Sequence, residues 1–258
     1  MKQNIYDNDI FYQAYLDLRL NSTGLNDVLE IPAFRSLLPE NLTGMRILDL
    51  GCGFGQACSR YASQGAAKVI GVDISKKMIS RAKQIYRHEN IEYVCLPIED
   101  IGFPREEFDL VLSSLAFHYI ADLKNVLERI LYCLKNNGFL IFSQEHPVAT
   151  AKQIPDGWCK NENGEKMHWI LDDYNDEGIR KQNWLIKDVI KYHRTMSTIM
   201  NTLIGCGFKI VKVLEPTPIK EAEIINKDLK NERRRPPFLM IKAQKGQSST
   251  HSCRRERV

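Results

Sequence analysis

The stretch Asp49-Leu50-Gly51-Cys52-Gly53-Phe54-Gly55 sets a carboxylate two positions ahead of three alternating glycines, directly after the apolar run that starts at Arg46. Glycine reaches positive φ at no steric cost and lets a ligand lie against the backbone, so such a turn offers amide groups to a polar ligand above a strand end. The next apolar run, Val69-Ile70-Gly71-Val72, ends in Asp73. A carboxylate there can accept hydrogen bonds from both hydroxyls of a ribose lying across the strand ends. Together the two features describe a nucleoside pocket. A dinucleotide fingerprint, G-x-G-x-x-G, would need a third glycine at position 56, where Gln56 stands.

An acidic residue, one position, G-x-G-x-G and a second acid ending the next strand resemble the class I S-adenosylmethionine-dependent methyltransferases, in register from Met45 to Phe142. The resemblance implies S-adenosylmethionine as cofactor and S-adenosylhomocysteine as product. It implies that Asp49, Gly51, Gly53 and Gly55 surround the methionine part, and that Asp73, with Ile74 beside it, holds the ribose. The family usually places an aspartate after the third strand, but this chain has Pro97-Ile98-Glu99-Asp100, so adenine is assigned to the Ile98 amide with Glu99 nearby. Ser113 to Tyr119 matches the segment that has cofactor on one side and substrate on the other, with Ser114 on the cofactor side. Tyr15 is a candidate cover for the cofactor carboxylate, plain helix packing being the alternative. Tyr6, Phe11 to Arg19, Glu145-His146-Pro147, Glu177-Gly178, Tyr192 to Thr195 and Arg235-Pro236 resemble a subgroup of small-molecule methyltransferases of unassigned substrate.

Methyl transfer from a sulfonium is an in-line displacement, so a protein's main tasks are alignment and exclusion of water, with a base needed only for some acceptors. Histidine is the side chain suited to that work near neutral pH. His118, His146 and His193 are the catalytic candidates, and His146 comes first because it follows the fifth strand beside Glu145; structural hydrogen bonding is the competing reading for each. Arg180 and Arg194 are candidates for a substrate carboxylate. Their alternative is an ion pair with Glu177 or Glu215. Trp184, with Trp158 and Trp169, is a candidate substrate wall, set against the reading that these rings fill a small core. No His/Cys spacing suits a metal, so none is expected.

These residues need a frame that brings strand ends together. Short apolar runs at Arg46 to Leu50, Lys68 to Val72, Ile91 to Cys95, Leu110 to Ser113, Gly138 to Ser143, Lys209 to Leu214 and Phe238 to Ala243 read as strands. Helical stretches at Gln56 to Gln64, Ser75 to His88, Asp122 to Lys135 and Thr195 to Ile204 lie between them, with Asn136-Asn137-Gly138 as a helix stop. The pattern predicts an α/β fold with a doubly wound, mainly parallel, seven-stranded sheet, Rossmann-like, with an N-terminal helical cap and an inserted lid. A single domain is expected over 1–245, divided into cap (1–44), cofactor core (45–143), lid and substrate segment (144–193) and closing helix and strands (194–245), with a disordered tail at 246–258. The lid reading comes from Glu145 to Lys181, which lacks a clear period yet is rich in Trp and Tyr. Gly205-Cys206-Gly207-Phe208 repeats the earlier tetrapeptide, but after a helix, where glycine ends the helix.

An apolar fraction of 43% and a charged fraction of 26% describe an ordinary globular chain. The formal charge of +4 owes much to Arg254, Arg255 and Arg257 in the tail, so no basic face for nucleic acid is expected. Seven scattered cysteines without a C-x-x-C pair, a polar start and no long apolar run point to a cytoplasmic protein with no membrane partner. A small-molecule acceptor is the expectation. The rivals are a nucleic-acid methyltransferase, suggested by Arg233-Arg234-Arg235, and a binding module that keeps the cofactor without turnover.

Overall fold

Successive residues of a strand face opposite sides of its sheet, and Ile47-Leu48-Asp49-Leu50 is buried throughout because both faces are covered. Ile47 joins Val69, Leu110 and Leu112 in one apolar layer, while Leu48 and Leu50 join Val72, Val111 and Phe142 in the other. The computed structural model describes residues 3–20, 24–153, 157–218 and 220–246.

The chain enters through α1 (Asp9–Leu20), a π-helical turn (Asn26–Glu30) and α2 (Ile31–Arg35). It then alternates β1 (Arg46–Leu50), α3 (Gln56–Ser63), β2 (Lys68–Asp73), α4 (Lys76–Ile85) and β3 (Ile91–Cys95). β4 (Phe108–Ser113), α5 (Leu123–Cys133) and β5 (Leu134–Glu145) continue the winding. Next come α6 (Pro147–Thr150) and two hairpins, β6 (Trp158–Lys160) with β7 (Lys166–Trp169) and β8 (Gly178–Trp184) with β9 (Ile186–His193). The chain closes with α7 (Met196–Gly205), β10 (Phe208–Leu214), α8 (Lys220–Ile225) and β11 (Phe238–Lys245).

The strand order β10-β11-β5-β4-β1-β2-β3, with only β11 running against its neighbours, is the seven-stranded, mainly parallel sheet the sequence predicts. β1 lies between β2 and β4, where the winding reverses and the carboxyl ends of strands open a crevice. Local chemistry fixes the helices around it. In α5, Leu123, Val126, Leu127, Ile130 and Cys133 recur on one buried face, and Asp122 caps the start by accepting from the Asn125 amide at 3.0 Å. Ser75 caps α4 in the same way, through the Met78 amide at 3.1 Å.

Two readings change. Asn136-Asn137-Gly138 is not a helix stop: α5 ends at Cys133, and the next strand already starts at Leu134, which pairs with Phe108. The register then shifts, and Asn137 absorbs the irregularity with φ of 64°. Residues 144–193 are more regular than their pattern suggests, because the hairpins are short and β8 buries little besides Arg180. The tail beyond Gly246, with Cys253, lies outside the described residues.

Candidate active site

The loop after β1 is tied to β2 from its first residue: the amides of Gly51 and Cys52 both donate to the Val72 carbonyl, at 2.8 and 3.0 Å. Gly51 has φ of +77°, and a Cβ on it would come within 2.8 Å of the Ala116 methyl. At the end of β2 the Asp73 carboxylate accepts from the Gly53 amide and the Ser75 amide, each at 2.9 Å. A carboxylate has about four acceptor positions, so each Asp73 oxygen keeps capacity for one further donor. Burial pushes the Asp73 carboxyl up to about 6, and Asp49, buried at the end of β1, is likewise pushed up to about 6.

Above these strand ends lies a cavity of about 580 Å³. Asp49, Gly51, Gly53, Asp73, Ile74, Ile98, Glu99, Ser114, Tyr15, Trp184 and His118 all line it. One part of its wall is aromatic. Tyr6 and Tyr15 stand edge to face with centroids 5.4 Å apart, Tyr15 and Trp184 likewise at 6.1 Å, and His118 lies 4.2 Å from Tyr119. Gly55 stands outside the lining; it shapes the loop, with φ of +80° at the cap of α3.

The remaining candidates lie away from the cavity lining, and their side chains are engaged elsewhere. His146 turns away from Glu145 to cap α6, its Nδ1 accepting from the Val148 amide at 3.1 Å and its Nε2 meeting Glu215 at 2.8 Å. His193 bridges Thr150 Oγ1 and the Tyr174 carbonyl, at 2.8 and 2.9 Å. Arg180, buried under its hairpin, donates to the carbonyls of Ala151, Asp173, Asp176 and Ile179. Arg194 donates to the carbonyls of Ile120 and Ala121, so neither arginine forms the ion pair weighed as its alternative. Trp158 and Trp169 face each other at 5.3 Å across the β6–β7 hairpin, beneath the guanidinium groups of Arg234 and Arg235.

His118 keeps its place but changes its role. Its Nδ1 accepts from the Glu145 amide at 3.3 Å, and burial lowers its pKa to about 4. The neutral ring therefore carries its proton on Nε2 and is a donor, not a base, in this state.

Sequence reasoning missed Glu30 and Arg60 in the lining. Arg60 stands one turn beyond Gln56 on α3, a spacing that could have flagged it, whereas Glu30 sits in a π-turn with no motif. Tyr119 and Glu145, named in the sequence only within their segments, also line the cavity; Glu145 pairs with Lys191 at 2.6 Å, and although burial pushes its carboxyl up, the ammonium holds it below the usual range.

A methyltransferase-domain family model matches residues 48–142. The chain is 38% identical to the solved S-adenosylmethionine-dependent methyltransferase of Mesorhizobium loti, covering 86% of this chain and 98% of that one with a TM-score of 0.78. It belongs to the class I S-adenosylmethionine-dependent methyltransferases. An uncharacterized protein of Haemophilus influenzae is 40% identical over 95% of this methyltransferase and 98% of its own length. A ubiquinone biosynthesis O-methyltransferase of Bradyrhizobium diazoefficiens is 40% identical, but over 40% of each chain. S-Adenosylmethionine is thus the methyltransferase's cofactor. Among the described residues, no three His, Cys, Asp or Glu side chains are grouped to hold a metal, and no helix is long and apolar enough to cross a membrane.

The placement of His146 carries a prediction. His146→Ala will cost the fold about 1–2 kcal/mol, through the lost cap and the lost Glu215 contact. A thermal melt will show that loss while the calorimetric affinity for S-adenosylmethionine stays within twofold. A large fall in affinity would put His146 back in the site.

Proposed function

We propose that this methyltransferase transfers its methyl group in line to a small, flat, largely apolar acceptor lodged against Tyr6, Tyr15, Tyr119 and Trp184. The observation that carries the reading is that aromatic wall, in the same cavity as Asp49, Gly51 and Asp73. Bound S-adenosylmethionine supplies a methyl group already activated by its sulfonium. The chain's own residues then bind, align and exclude water.

In this reading Asp73 uses its remaining acceptor positions for the ribose hydroxyls, with Ile74 beside them. The Ile98 amide and Glu99 take the adenine edge. Asp49, Gly51, Gly53 and Ser114 surround the methionine part, and Tyr15 covers it. The absence of a Cβ at Gly51 lets the Ala116 methyl pack against the loop. His118 donates from Nε2 to an oxygen of the acceptor and so fixes its orientation. The segment 144–193 acts as the lid, since its β8–β9 hairpin carries Trp184 into the wall.

The run Arg233-Arg234-Arg235 speaks for a small acceptor over RNA. Arg233 pairs with Glu223, Arg234 donates to the carbonyls of Lys166 and Met167, and Arg235 meets Glu232 at 3.1 Å. Cations engaged in this way are poor phosphate contacts.

The test is a panel assay that follows S-adenosylhomocysteine release with phenols, aromatic carboxylic acids, aliphatic amines and total RNA. Turnover is expected with flat aromatic acceptors, and Trp184→Ala will raise their KM while leaving the cofactor's Kd unchanged. Turnover on RNA alone would overturn the reading.

A further inference from the structure

β5 ends in a carboxylate that faces the cavity with one oxygen engaged and one open. Glu145 Oε1 accepts from the Lys191 ammonium at 2.6 Å, and among the described residues no donor meets Oε2. The Glu145 side chain lines the cavity with 24% of its surface exposed, whereas that of Lys191 is 4% exposed and stands outside the lining. A ligand can therefore reach the open oxygen but not the cation. Burial works against the charge of Glu145, yet the ammonium outweighs it and keeps the carboxylate ionised at neutral pH.

Three contacts set this carboxylate beside the aromatic wall. The Glu145 amide donates to His118 Nδ1 at 3.3 Å, the His118 ring stands against Tyr119, and the Lys191 ammonium lies 5.9 Å from the centre of the Trp184 ring. Lys191 also donates to Gln182 Oε1 at 3.2 Å, so the β8–β9 hairpin is held to the end of β5 through Oε1 alone. Oε2 is left to the cavity. A ligand that displaces water from this ionised oxygen must bring a donor of its own, because otherwise the oxygen is left unpaired in an apolar pocket.

We propose that Glu145 selects the methyl acceptor, its Oε2 accepting a hydrogen bond from an O–H or N–H group carried by the ring system that lies against the wall. This rests on the reading that lodges a flat acceptor there. The substrate class is thereby narrowed to aromatic alcohols and amines. An aromatic carboxylate has no proton for Oε2 and sets oxygen against oxygen, a repulsive element that discriminates as strongly as the attractive one. The two arginines suited to grip such a carboxylate, Arg180 and Arg194, are engaged by backbone carbonyls away from the lining.

The experiment titrates the protein, saturated with S-adenosylhomocysteine, with 2-naphthol, 2-naphthylamine and 2-naphthoate, which share a ring system and differ in the polar group. The parent protein will bind the alcohol and the amine about 10-fold or more tightly than the carboxylate. Glu145→Gln keeps a carbonyl oxygen for Lys191 and offers the cavity an amide N–H instead of an acceptor. It will lose about 10- to 100-fold of the affinity for the alcohol and the amine, and bind the carboxylate no less tightly. S-Adenosylhomocysteine affinity within about twofold of the parent's reports an intact pocket. Because Glu145→Gln leaves Lys191 a buried cation without its counter-ion, Glu145→Gln combined with Lys191→Met carries the test if the single variant does not fold, with the same loss of discrimination expected. Unchanged discrimination, a parallel loss of all three ligands, or loss of S-adenosylhomocysteine binding in both variants would reduce Glu145 to an anchor for the hairpin and overturn the proposal. Equal affinity of the parent for the three ligands, or tightest binding of the carboxylate, overturns it too, yet leaves the aromatic wall standing. No binding of any of the three by the parent overturns the wall as the acceptor site as well.

Discussion

Asp73→Ala will bind S-adenosylmethionine roughly 100- to 10,000-fold more weakly than the parent protein. Hydrogen bonds to a charged group contribute about 1.5–3 kcal/mol each, and a ribose offers two. The variant also frees the Gly53 and Ser75 amides, which the carboxylate now holds at 2.9 Å, so the glycine loop loses an anchor as the ribose loses its partner. Calorimetry gives the affinity, and circular dichroism establishes that the variant is folded. A folded variant with unchanged affinity would mean that the ribose lies elsewhere. The same group gives binding a pH dependence. Burial raises Asp73 to about 6, so the ionised acceptor that the ribose needs is lost as pH falls through that value. Affinity should therefore rise between pH 5 and pH 7. The stability of the free protein moves oppositely: a folded pKa above the unfolded value of about 3.9 favours the folded state while the proton is bound, and that advantage declines from about pH 4 to pH 6.

Gly55→Ala is the second large effect, and it falls on the fold. Gly55 has φ of +80°, and an added Cβ would lie inside van der Waals contact with the Tyr93 ring. That ring is nearly buried, and its hydroxyl lies 3.4 Å from the Gly55 carbonyl and 3.2 Å from that of Tyr86, so it has little freedom to retreat. The left-handed backbone costs about 1–2 kcal/mol and overpacking about 1–3 more. A melting temperature lower by roughly 4–20 °C is expected for a chain of this size. Gly53→Ala is the control: its φ of +54° carries the backbone cost, but its Cβ would meet nothing within 4 Å. Equal melting temperatures for the two variants would show that the Tyr93 contact has no weight.

The central strands were legible because β1, β2 and β4 are buried on both faces and read as mostly apolar runs, whereas the edge strands β3 and β10 are only partly buried. The glycine loop and Asp73 were legible because their chemistry depends on residue type and spacing within short segments. Contacts made across the chain left no such trace. Glu30 reaches Ser114 and Ser143, far from it in sequence, and nothing beside Glu30 announces those partners. The structure draws His146 away from the cavity for a local reason. Glu145 ends β5 facing the cavity, but Pro147 opens α6 and makes His146 its cap, with the side chain folded back onto the Val148 amide. Arg180 and His193 misled in another way. On the short β8–β9 hairpin the inward positions are few, so polar side chains occupy them and find backbone partners, a pattern that in sequence resembles a site.

Calorimetric titration of the purified protein with S-adenosylmethionine, and separately with NAD and NADP, tests the central claim most directly. Binding of the methyl donor with no heat from either dinucleotide is the predicted result. Silence with the donor and saturable heat with a dinucleotide would contradict the assignment of the glycine loop, Asp73 and the cavity between them.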